Sequence, residues 1–226
     1  MEESTLIELK NIKVFHRKTL VIDGADLKVN KGEFVYLIGA TGSGKSSILK
    51  ALYKEVDIAE GSGTIIDFDL VKIKNRHIPK LRKQLGIVFQ DFQLLPDRSV
   101  LENLIFVMKA TGWKDSKAMA DHAKLILEQV NLSGIENKHP HQLSGGQQQK
   151  VVIARAMINS PKVILADEPT GNLDPQSSKE IMNLLTAISK GGTAIVMATH
   201  DMEIVKQYPG RILKCENGLL TKLEEA

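Results

Sequence analysis

Residues 39–46 read GATGSGKS, which matches the pattern G-x-x-x-x-G-K-S and overlaps the end of a continuous apolar run, EFVYLIGA. Such a run is typical of a strand buried on both faces, and the residues that follow, SILKALYKE, have helical spacing. A glycine-rich turn between a strand and a helix lets successive backbone N–H groups point at one phosphate chain. The lysine then reaches the terminal phosphates, and the serine hydroxyl reaches a Mg²⁺ ion. We therefore predict a phosphate-binding loop, and its residues are Gly39, Ala40, Thr41, Gly42, Ser43, Gly44, Lys45, Ser46 and Ser47.

A second buried strand, VILADE (163–168), ends in two carboxylates. Asp167 is expected to hold the Mg²⁺ shell, and Glu168 is expected to orient or deprotonate a water for in-line attack on a γ-phosphate. The alternative is that both carboxylates only cap the next helix. With a phosphate-binding loop upstream, we favour a site that binds ATP with Mg²⁺ and hydrolyses it, in which Glu168 contributes about 10²–10⁴ to the rate.

The remaining segments alternate between strand-like and helix-like patterns. LIELKNIKVF and VIDGADLKV alternate apolar and polar residues, as half-exposed antiparallel strands do, and TAIVMATH (193–200) is a further buried run. Helical segments follow near 175–190 and 201–207, and helical spacing also fills the range from about 91 to 160. In the second helix of that range, one apolar face is predicted to pack in a core, and it consists of Met119, Ala123, Ile126, Leu127 and Val130.

These patterns predict an α/β fold with a parallel sheet, an N-terminal antiparallel β subdomain and an inserted α-helical lobe. We predict one domain over residues 1–226. Its α/β core covers 1–90 and 161–226, and its helical subdomain covers 91–160.

Composition excludes several classes of protein. The 30 basic and 27 acidic residues give a net charge of +3, too small for a dedicated nucleic-acid binder, and the basic segment 72–83 lacks the interleaved aromatics of one. The single cysteine, Cys215, is expected to be a small strand residue in a reducing compartment. The start MEESTLIELK lacks the apolar run of a secretory signal. The sequence also has no run of about 18 apolar residues, which is the pattern that predicts a membrane span. Any membrane role is therefore expected to come through a partner.

The segment LSGGQQQK (143–150) places a serine and two glycines directly before a helical pattern. A helix start of this kind attracts anions, but its dipole contributes only about 0.3–1 kcal/mol, too little to anchor a nucleotide alone. Taken alone, the segment is more often a simple helix cap. Beside a phosphate-binding loop, we favour a second anion site that completes the first.

Five motifs in this order resemble the ATP-binding subunits of ABC transporters over nearly the whole chain: GATGSGKS, IVFQDF, LSGGQQQK, VILADEPTGNLD and MATHD. The resemblance implies an ABC-type nucleotide-binding domain that forms a head-to-tail homodimer. In such a dimer the signature of one subunit covers ATP held by the phosphate-binding loop of the other.

The resemblance also implies roles for single residues. Gln90 is expected to reach the metal and the water, and to join the helical lobe to the core. His200, at the end of a buried strand, is expected to contact the γ-phosphate. Asp174 is expected in the loop that crosses to the other subunit, although it equally suits a cap for the helix that begins at Pro175. The signature consists of Ser144, Gly145, Gly146 and Gln147. Of these residues, Ser144 and Gly146 are expected to touch the partner's γ-phosphate.

Some positions leave alternatives open. Phe15 lies where the family has an aromatic that stacks on adenine, but an ordinary strand phenylalanine fits equally well. Gln147 and Lys150 stand where relatives commonly have an acidic residue and an arginine, which leaves their phosphate and interface contacts open. Trp113 is expected either to anchor the lobe or to contact a membrane subunit.

Within the family, FQDFQLLPDRSVLENL and LADEPTGNLD resemble a bacterial group that includes lipoprotein-release, macrolide-export and cell-division ATPases. FQDFQLLPDRS together with IKNRHIPKLRKQLG is most similar to the cell-division family FtsE. This implies a polytopic membrane partner of the FtsX type, a cytoplasmic position at the inner face of the cell membrane, and ATP-driven control of cell-wall hydrolysis. The alternatives are a transporter ATPase of the same group, a soluble ABC ATPase that acts on DNA or ribosomes, and a module that senses ATP without hydrolysing it.

Overall fold

A computed structural model describes residues 4–222, and its strands form two sheets. The strands in chain order are β1 (Thr5–His16), β2 (Thr19–Asn30), β3 (Phe34–Ile38), β4 (Ile58–Ile65), β5 (Phe68–Asp69), β6 (Leu85–Val88), β7 (Val163–Asp167), β8 (Ala194–Thr199), β9 (Arg211–Glu216) and β10 (Leu219–Lys222). The first sheet has the order β2-β1-β4-β5 and is antiparallel. The alternating pattern near the N-terminus therefore predicted β1 and β2 correctly.

The second sheet has the order β10-β9-β3-β8-β7-β6. Its strands are parallel except β10, which forms an antiparallel hairpin with β9. The three apolar runs became β3, β7 and β8, and every residue in them is buried except the terminal Asp167. This confirms the parallel α/β core and the antiparallel β subdomain. Cys215 lies buried in β9, as expected for a small strand residue.

Within residues 4–222, seven α-helices surround and extend the sheets. They are α1 (Lys45–Leu52), α2 (Ile78–Arg82), α3 (Val100–Ala110), α4 (Ser116–Gln129), α5 (Gly145–Met157), α6 (Pro175–Lys190) and α7 (Met202–Gln207). Helices α3 and α4 pack with part of α5 around a core of their own, which confirms the helical lobe. The predicted apolar face of α4 is buried in that core. Trp113 packs against the same core and stacks on His122, with ring centroids 5.0 Å apart.

The helical lobe lies within the predicted range 91–160, but the exact limits of that subdomain stay a prediction. The first three and last four residues of the predicted domain lie outside the described residues. No helix within residues 4–222 is both long enough and apolar enough to cross a membrane.

The parallel order of the second sheet decides where the site forms. Strands β3, β8 and β7 are adjacent and point the same way, so their carboxyl ends meet at one edge. Gly39 follows β3, Asp167 ends β7, and His200 follows β8. Residues far apart in the chain are thereby brought together.

Candidate nucleotide-binding and hydrolysis site

The loop between β3 and α1 has the geometry of a phosphate cradle. Gly44 adopts the left-handed conformation, with φ of 106°, directly before α1 begins at Lys45. Lys45 is only 6% exposed, and its Nζ donates to the carbonyl oxygens of Gly39 (2.7 Å) and Ala40 (3.1 Å). A lysine ammonium has three N–H donors, so one remains for a phosphate oxygen.

Strand β9 supports this loop from beneath. A Cβ added to Gly39 would stand 2.3 Å from the carbonyl oxygen of Cys215, so only glycine fits there. The Cys215 thiol donates to the carbonyl oxygen of Ser43 at 2.9 Å, and burial raises its pKa. Cys215 therefore stays a thiol that fixes the loop.

The end of β7 lies beside the cradle. The Ser46 hydroxyl donates to Oδ1 of Asp167 at 3.1 Å, which joins the loop to the carboxylate. Burial raises the pKa of Asp167 above its usual range. Hydroxyl and carboxylate oxygens are ligands that Mg²⁺ prefers, so these two side chains fit a magnesium ion. A buried carboxylate with a raised pKa also gains most from an adjacent cation.

Glu168 and His200 form a hydrogen-bonded pair at the same edge. Nδ1 of His200 lies 2.8 Å from Oε1 of Glu168, although the two residues are 32 positions apart. Glu168 has φ of 46°, in the left-handed region that a residue with a Cβ rarely adopts, and its N–H donates to the carbonyl oxygen of Ala198 at 2.9 Å. Backbone strain of this kind often marks a functional position. The Glu168 side chain is 12% exposed, so it reaches the site from a mostly buried position.

Gln90 follows β6 and lies beside the loop that carries Glu168. Its Nε2 is 3.9 Å from where a Cβ would stand on Gly171, and its carbonyl oxygen accepts from Asn172 Nδ2 at 3.4 Å. The structure thus brings Gln90 to the Glu168 loop. Its contacts with the metal and the water stay predictions.

Arg155 fixes the segment that follows Gln90. This role of Arg155 was not predicted from the sequence. Its guanidinium donates to the carbonyl oxygens of Gln93 (2.5 Å) and Phe92 (3.0 Å), so it ties this segment to α5. Burial lowers the pKa of Arg155, yet an arginine stays charged in proteins. An arginine among apolar residues in the helical pattern VVIARAM was the available signal.

The LSGGQ segment begins α5. Ser144 caps the helix, since its hydroxyl accepts from the N–H of Gln147 at 3.3 Å, and the Gln147 side chain accepts from the N–H of Ser144 at 3.1 Å. Asp174 caps α6 in the same way, accepting from the N–H of Ser177 at 3.0 Å. Both capping interpretations are therefore confirmed, while contacts of these residues with a partner subunit stay predictions. Among the described residues, no hydrogen bond joins the signature residues to the phosphate-binding loop.

A cavity of about 320 Å³ lies against the phosphate-binding loop, and the β1–β2 hairpin forms its other wall. Its lining residues are His16, Thr19, Val21, Gly42, Gly44, Lys45, Ser46 and Ser47. Phe15 is not among these lining residues, and its contact with adenine stays a prediction. Phe15 pairs across the strands with Leu20, whereas His16 pairs with Thr19. Because successive strand residues face opposite sides, His16 and not Phe15 faces the cavity.

Comparisons with known proteins agree with this geometry. The sequence profile described as ABC transporter matches residues 22–171. A solved dimeric ATP-binding cassette, in a post-hydrolysis state bound to ADP and Pi, has a TM-score of 0.85 and 31% identity, and the match covers 98% of this chain and 100% of that one. The chain therefore belongs to the ABC transporter family and is an ABC-type ATPase.

Several relatives of the chain are cell-division proteins. The cell division ATP-binding protein FtsE of Streptococcus pneumoniae serotype 2 is 42% identical over 224 residues, covering 97% of this chain and 96% of that protein. FtsE of Mycobacterium tuberculosis is 45% identical over 204 residues, covering 90% and 88%. Within the ABC family, the chain is thus similar to FtsE over nearly its whole length.

Proposed function

We propose that this chain is the ATPase subunit of an FtsEX-type complex in a bacterial cell membrane. Two copies bind Mg²⁺-ATP between them, head to tail, and hydrolysis changes the conformation of a polytopic membrane subunit of the FtsX type that controls cell-wall hydrolysis. The observation that carries the proposal is that the carboxyl ends of β3, β7 and β8 meet at one edge of the sheet. This arrangement joins Ser46 to Asp167 and Glu168 to His200.

The residues of this edge divide the reaction between them. Lys45 and the backbone N–H groups of residues 39–46 hold the β- and γ-phosphates. Ser46 and Asp167 hold Mg²⁺, which when bound neutralises charge that develops on the phosphate oxygens. Glu168 accepts a proton from the attacking water or orients it, and His200 holds the Glu168 carboxylate beside the γ-phosphate.

A second copy of the chain supplies the other wall of the site. Ser144 is exposed at the start of α5 and does not line the cavity beside Lys45. The relative bound to ADP and Pi is dimeric, which supports a pair of copies. In that pair the hydroxyl of Ser144 and the N–H groups that begin α5 reach the γ-phosphate on the partner's loop.

A groove of about 460 Å³ between the core and the helical lobe is the proposed contact with the membrane subunit. Phe106 of α3 lines it and is 45% exposed, with the Arg98 guanidinium 4.7 Å from its ring centroid. Phe89 and Gln93 line the same groove on both sides of Gln90. A segment that enters this groove can therefore move Gln90 and thereby change the geometry at Glu168.

Co-purification from detergent-solubilised membranes tests this assignment. We expect a polytopic subunit to co-purify with the wild-type chain and to be lost with Phe106→Asp, because the substitution puts a charge into an apolar contact. Leu125→Asp is the matched control, since Leu125 of α4 is 57% exposed and does not line the groove.

Three outcomes would contradict parts of the proposal. A lipoprotein-release or drug-export membrane subunit in place of an FtsX-type protein would favour a transporter. A salt-sensitive complex with DNA or ribosomes and no membrane protein would favour a soluble ATPase. Equal recovery of the membrane subunit with both aspartate variants would show that the groove does not contact that subunit.

A further inference from the structure

One strongly basic segment of the surface takes no part in the nucleotide site. This basic segment covers residues 72–83, KIKNRHIPKLRK, and contains six lysines and arginines. No aspartate or glutamate stands between Asp69 and Asp91. Because the whole chain has a net charge of only +3, the rest of the chain is net negative. The excess of positive charge is therefore concentrated in this segment.

The fold holds the basic segment in one shape. It forms a short 3₁₀ helix followed by α2. Leu81 anchors it, because this side chain is buried in the core against the sheet. The Arg82 guanidinium donates to the carbonyl oxygens of Tyr53 and Lys54, both at 3.0 Å. The charges are therefore presented by an ordered surface.

Three cations of the segment are exposed and lack an anionic partner. They are Lys74, Arg76 and Lys80. Within residues 4–222 none of these three forms an ion pair, whereas Lys72 lies 3.7 Å from a carboxylate oxygen of Asp69. Charges of one sign that are held close together repel each other, so this surface gains stability when an anionic partner binds.

The basic segment continues into the groove that we propose as the contact with the membrane subunit. Pro79, Arg82 and Lys83 line that groove together with Phe106. Nζ of Lys83 also donates to the carbonyl oxygen of Thr111 at 2.7 Å, which joins the segment to the end of α3. A membrane subunit in the groove therefore places the basic segment on the side of the protein that faces the bilayer.

We propose that the basic segment binds the bilayer surface through anionic phospholipid headgroups. The inference rests on the proposed function, because the groove decides which side of the protein faces the membrane. Clusters of about four to eight lysines and arginines beside a membrane attract anionic lipids, and each residue near the surface raises the affinity about fivefold. This contact adds to the one made through the membrane subunit.

A bilayer suits this surface better than a nucleic acid does. The segment has no aromatic side chain that could stack on bases. Val71, directly before it, and Pro79 within it add exposed apolar surface beside the cations. Apolar and basic side chains on one surface are the combination that binds at the boundary between headgroups and acyl chains.

Binding of the purified chain to lipid vesicles tests the proposal. Flotation measures the partition coefficient on vesicles of phosphatidylcholine alone and on vesicles of equal parts phosphatidylcholine and phosphatidylglycerol, at low and at high salt. The test variant combines Lys74→Gln, Arg76→Gln and Lys80→Gln, which line neither the groove nor the cavity beside the phosphate-binding loop. Thermal unfolding checks that each variant keeps its fold.

The matched control removes the same charge elsewhere on the surface. It combines Lys117→Gln and Lys124→Gln of α4 with Lys206→Gln of α7, and all three side chains are exposed. We expect the wild-type chain to bind the mixed vesicles and to lose this binding at high salt, because salt screens the attraction. The test variant is expected to bind them about a hundredfold more weakly, and the control nearly as well as the wild-type chain.

Three results would overturn the proposal. The first is equal binding of the wild-type chain to both kinds of vesicle. The second is an equal loss in the test variant and the control, which would show attraction by net charge alone. The third is unchanged vesicle binding by the test variant together with loss of duplex DNA or of the co-purifying membrane subunit, which would assign the segment to that partner.

Co-purification separates this failure from failure of the proposed function. If the test variant binds vesicles as the wild-type chain does and still recovers the polytopic subunit, the lipid contact is refuted and the proposed function stands. If the wild-type chain recovers no polytopic subunit, the proposed function fails, and the vesicle measurement alone decides the lipid contact.

Discussion

The contact between Gly146 and Ser177 gives a sharp test of how the signature helix is held. A Cβ added to Gly146 would stand 2.6 Å from Oγ and 2.9 Å from Cβ of Ser177. Favourable contacts between non-bonded atoms begin near 3.5 Å, so α5 and α6 must separate by about 0.5–1 Å in Gly146→Ala. Overpacking of this kind costs about 1–3 kcal/mol, partly offset by the higher helix propensity of alanine, which is worth up to about 1 kcal/mol.

A double-mutant cycle isolates the contact from the propensity. In a Ser177→Gly background the new Cβ meets only Cα of residue 177, at an ordinary distance of 3.8 Å. Gly146→Ala is therefore expected to destabilise the wild-type chain and to be neutral or stabilising in Ser177→Gly. The coupling energy is expected to be about 1–3 kcal/mol.

Chemical denaturation measures all four chains of the cycle, and unfolding rather than ATPase activity is the readout because Gly146 is also a predicted ATP contact. Gly145→Ala is the matched control. Its Cβ would stand 3.3 Å from Cδ2 of Leu173, the end of a flexible side chain, so we expect a loss below about 1 kcal/mol. An equal effect of Gly146→Ala in both backgrounds would refute the packing argument.

Three further predictions concern the site and the lobe. Glu168→Gln is expected to bind ATP, to release phosphate about 10²–10⁴ times more slowly and to accumulate as an ATP-bound dimer in size-exclusion chromatography; normal phosphate release would remove Glu168 from the reaction. Burial raises the pKa of Asp167, so the folded chain loses stability as pH rises through that pKa. In metal-free buffer at pH 8, Asp167→Asn is thus expected to have a higher Tm than the wild-type chain, by about 2–4 °C for each kcal/mol of stability recovered. Below pH of about 4 the two chains are expected to have the same Tm. A Tm difference that does not change with pH would contradict this. Ser99→Ala removes the cap of α3, in which the hydroxyl accepts from the N–H of Glu102 at 3.2 Å. It is expected to cost about 1 kcal/mol in denaturation experiments without changing ATP affinity, and an unchanged unfolding free energy would show that the cap contributes nothing.

The sequence predicted the parts of the site that depend on local spacing. The phosphate-binding loop needs only a strand, a set of glycines and a helix in succession, and all three are legible between residues 33 and 54. Likewise, Asp167 and Glu168 end an apolar run whose burial follows from its composition. The order of these motifs along the chain was sufficient for the ABC-type fold.

Contacts between segments that are far apart in the chain could not be predicted from the sequence. The contact between Glu168 and His200 forms because β7 and β8 are neighbours in the sheet. The backbone at Glu168 has a positive φ, and no glycine or asparagine at that position indicates it in the sequence. The pairing of Phe15 with Leu20 and of His16 with Thr19 depends on a register shift, since one extra residue in β2 separates these pairs from the pair of Val14 and Ile22. Strand register is set by pairing, so a single strand read alone leaves it undetermined.

The segments predicted to reach the partner's ATP are mechanically joined in this chain. Gly146 packs on Ser177, and Lys150 of α5 bonds Glu180 of α6 at 2.7 Å, which lowers the pKa of Glu180. A movement of the helical lobe that carries the start of α5 must therefore also carry the start of α6, with Asp174 at its cap, or break these contacts. Lys150, which departs from the usual arginine, thus retains an ion pair across the two helices. These contacts therefore make the start of α5 and the start of α6 move as one unit.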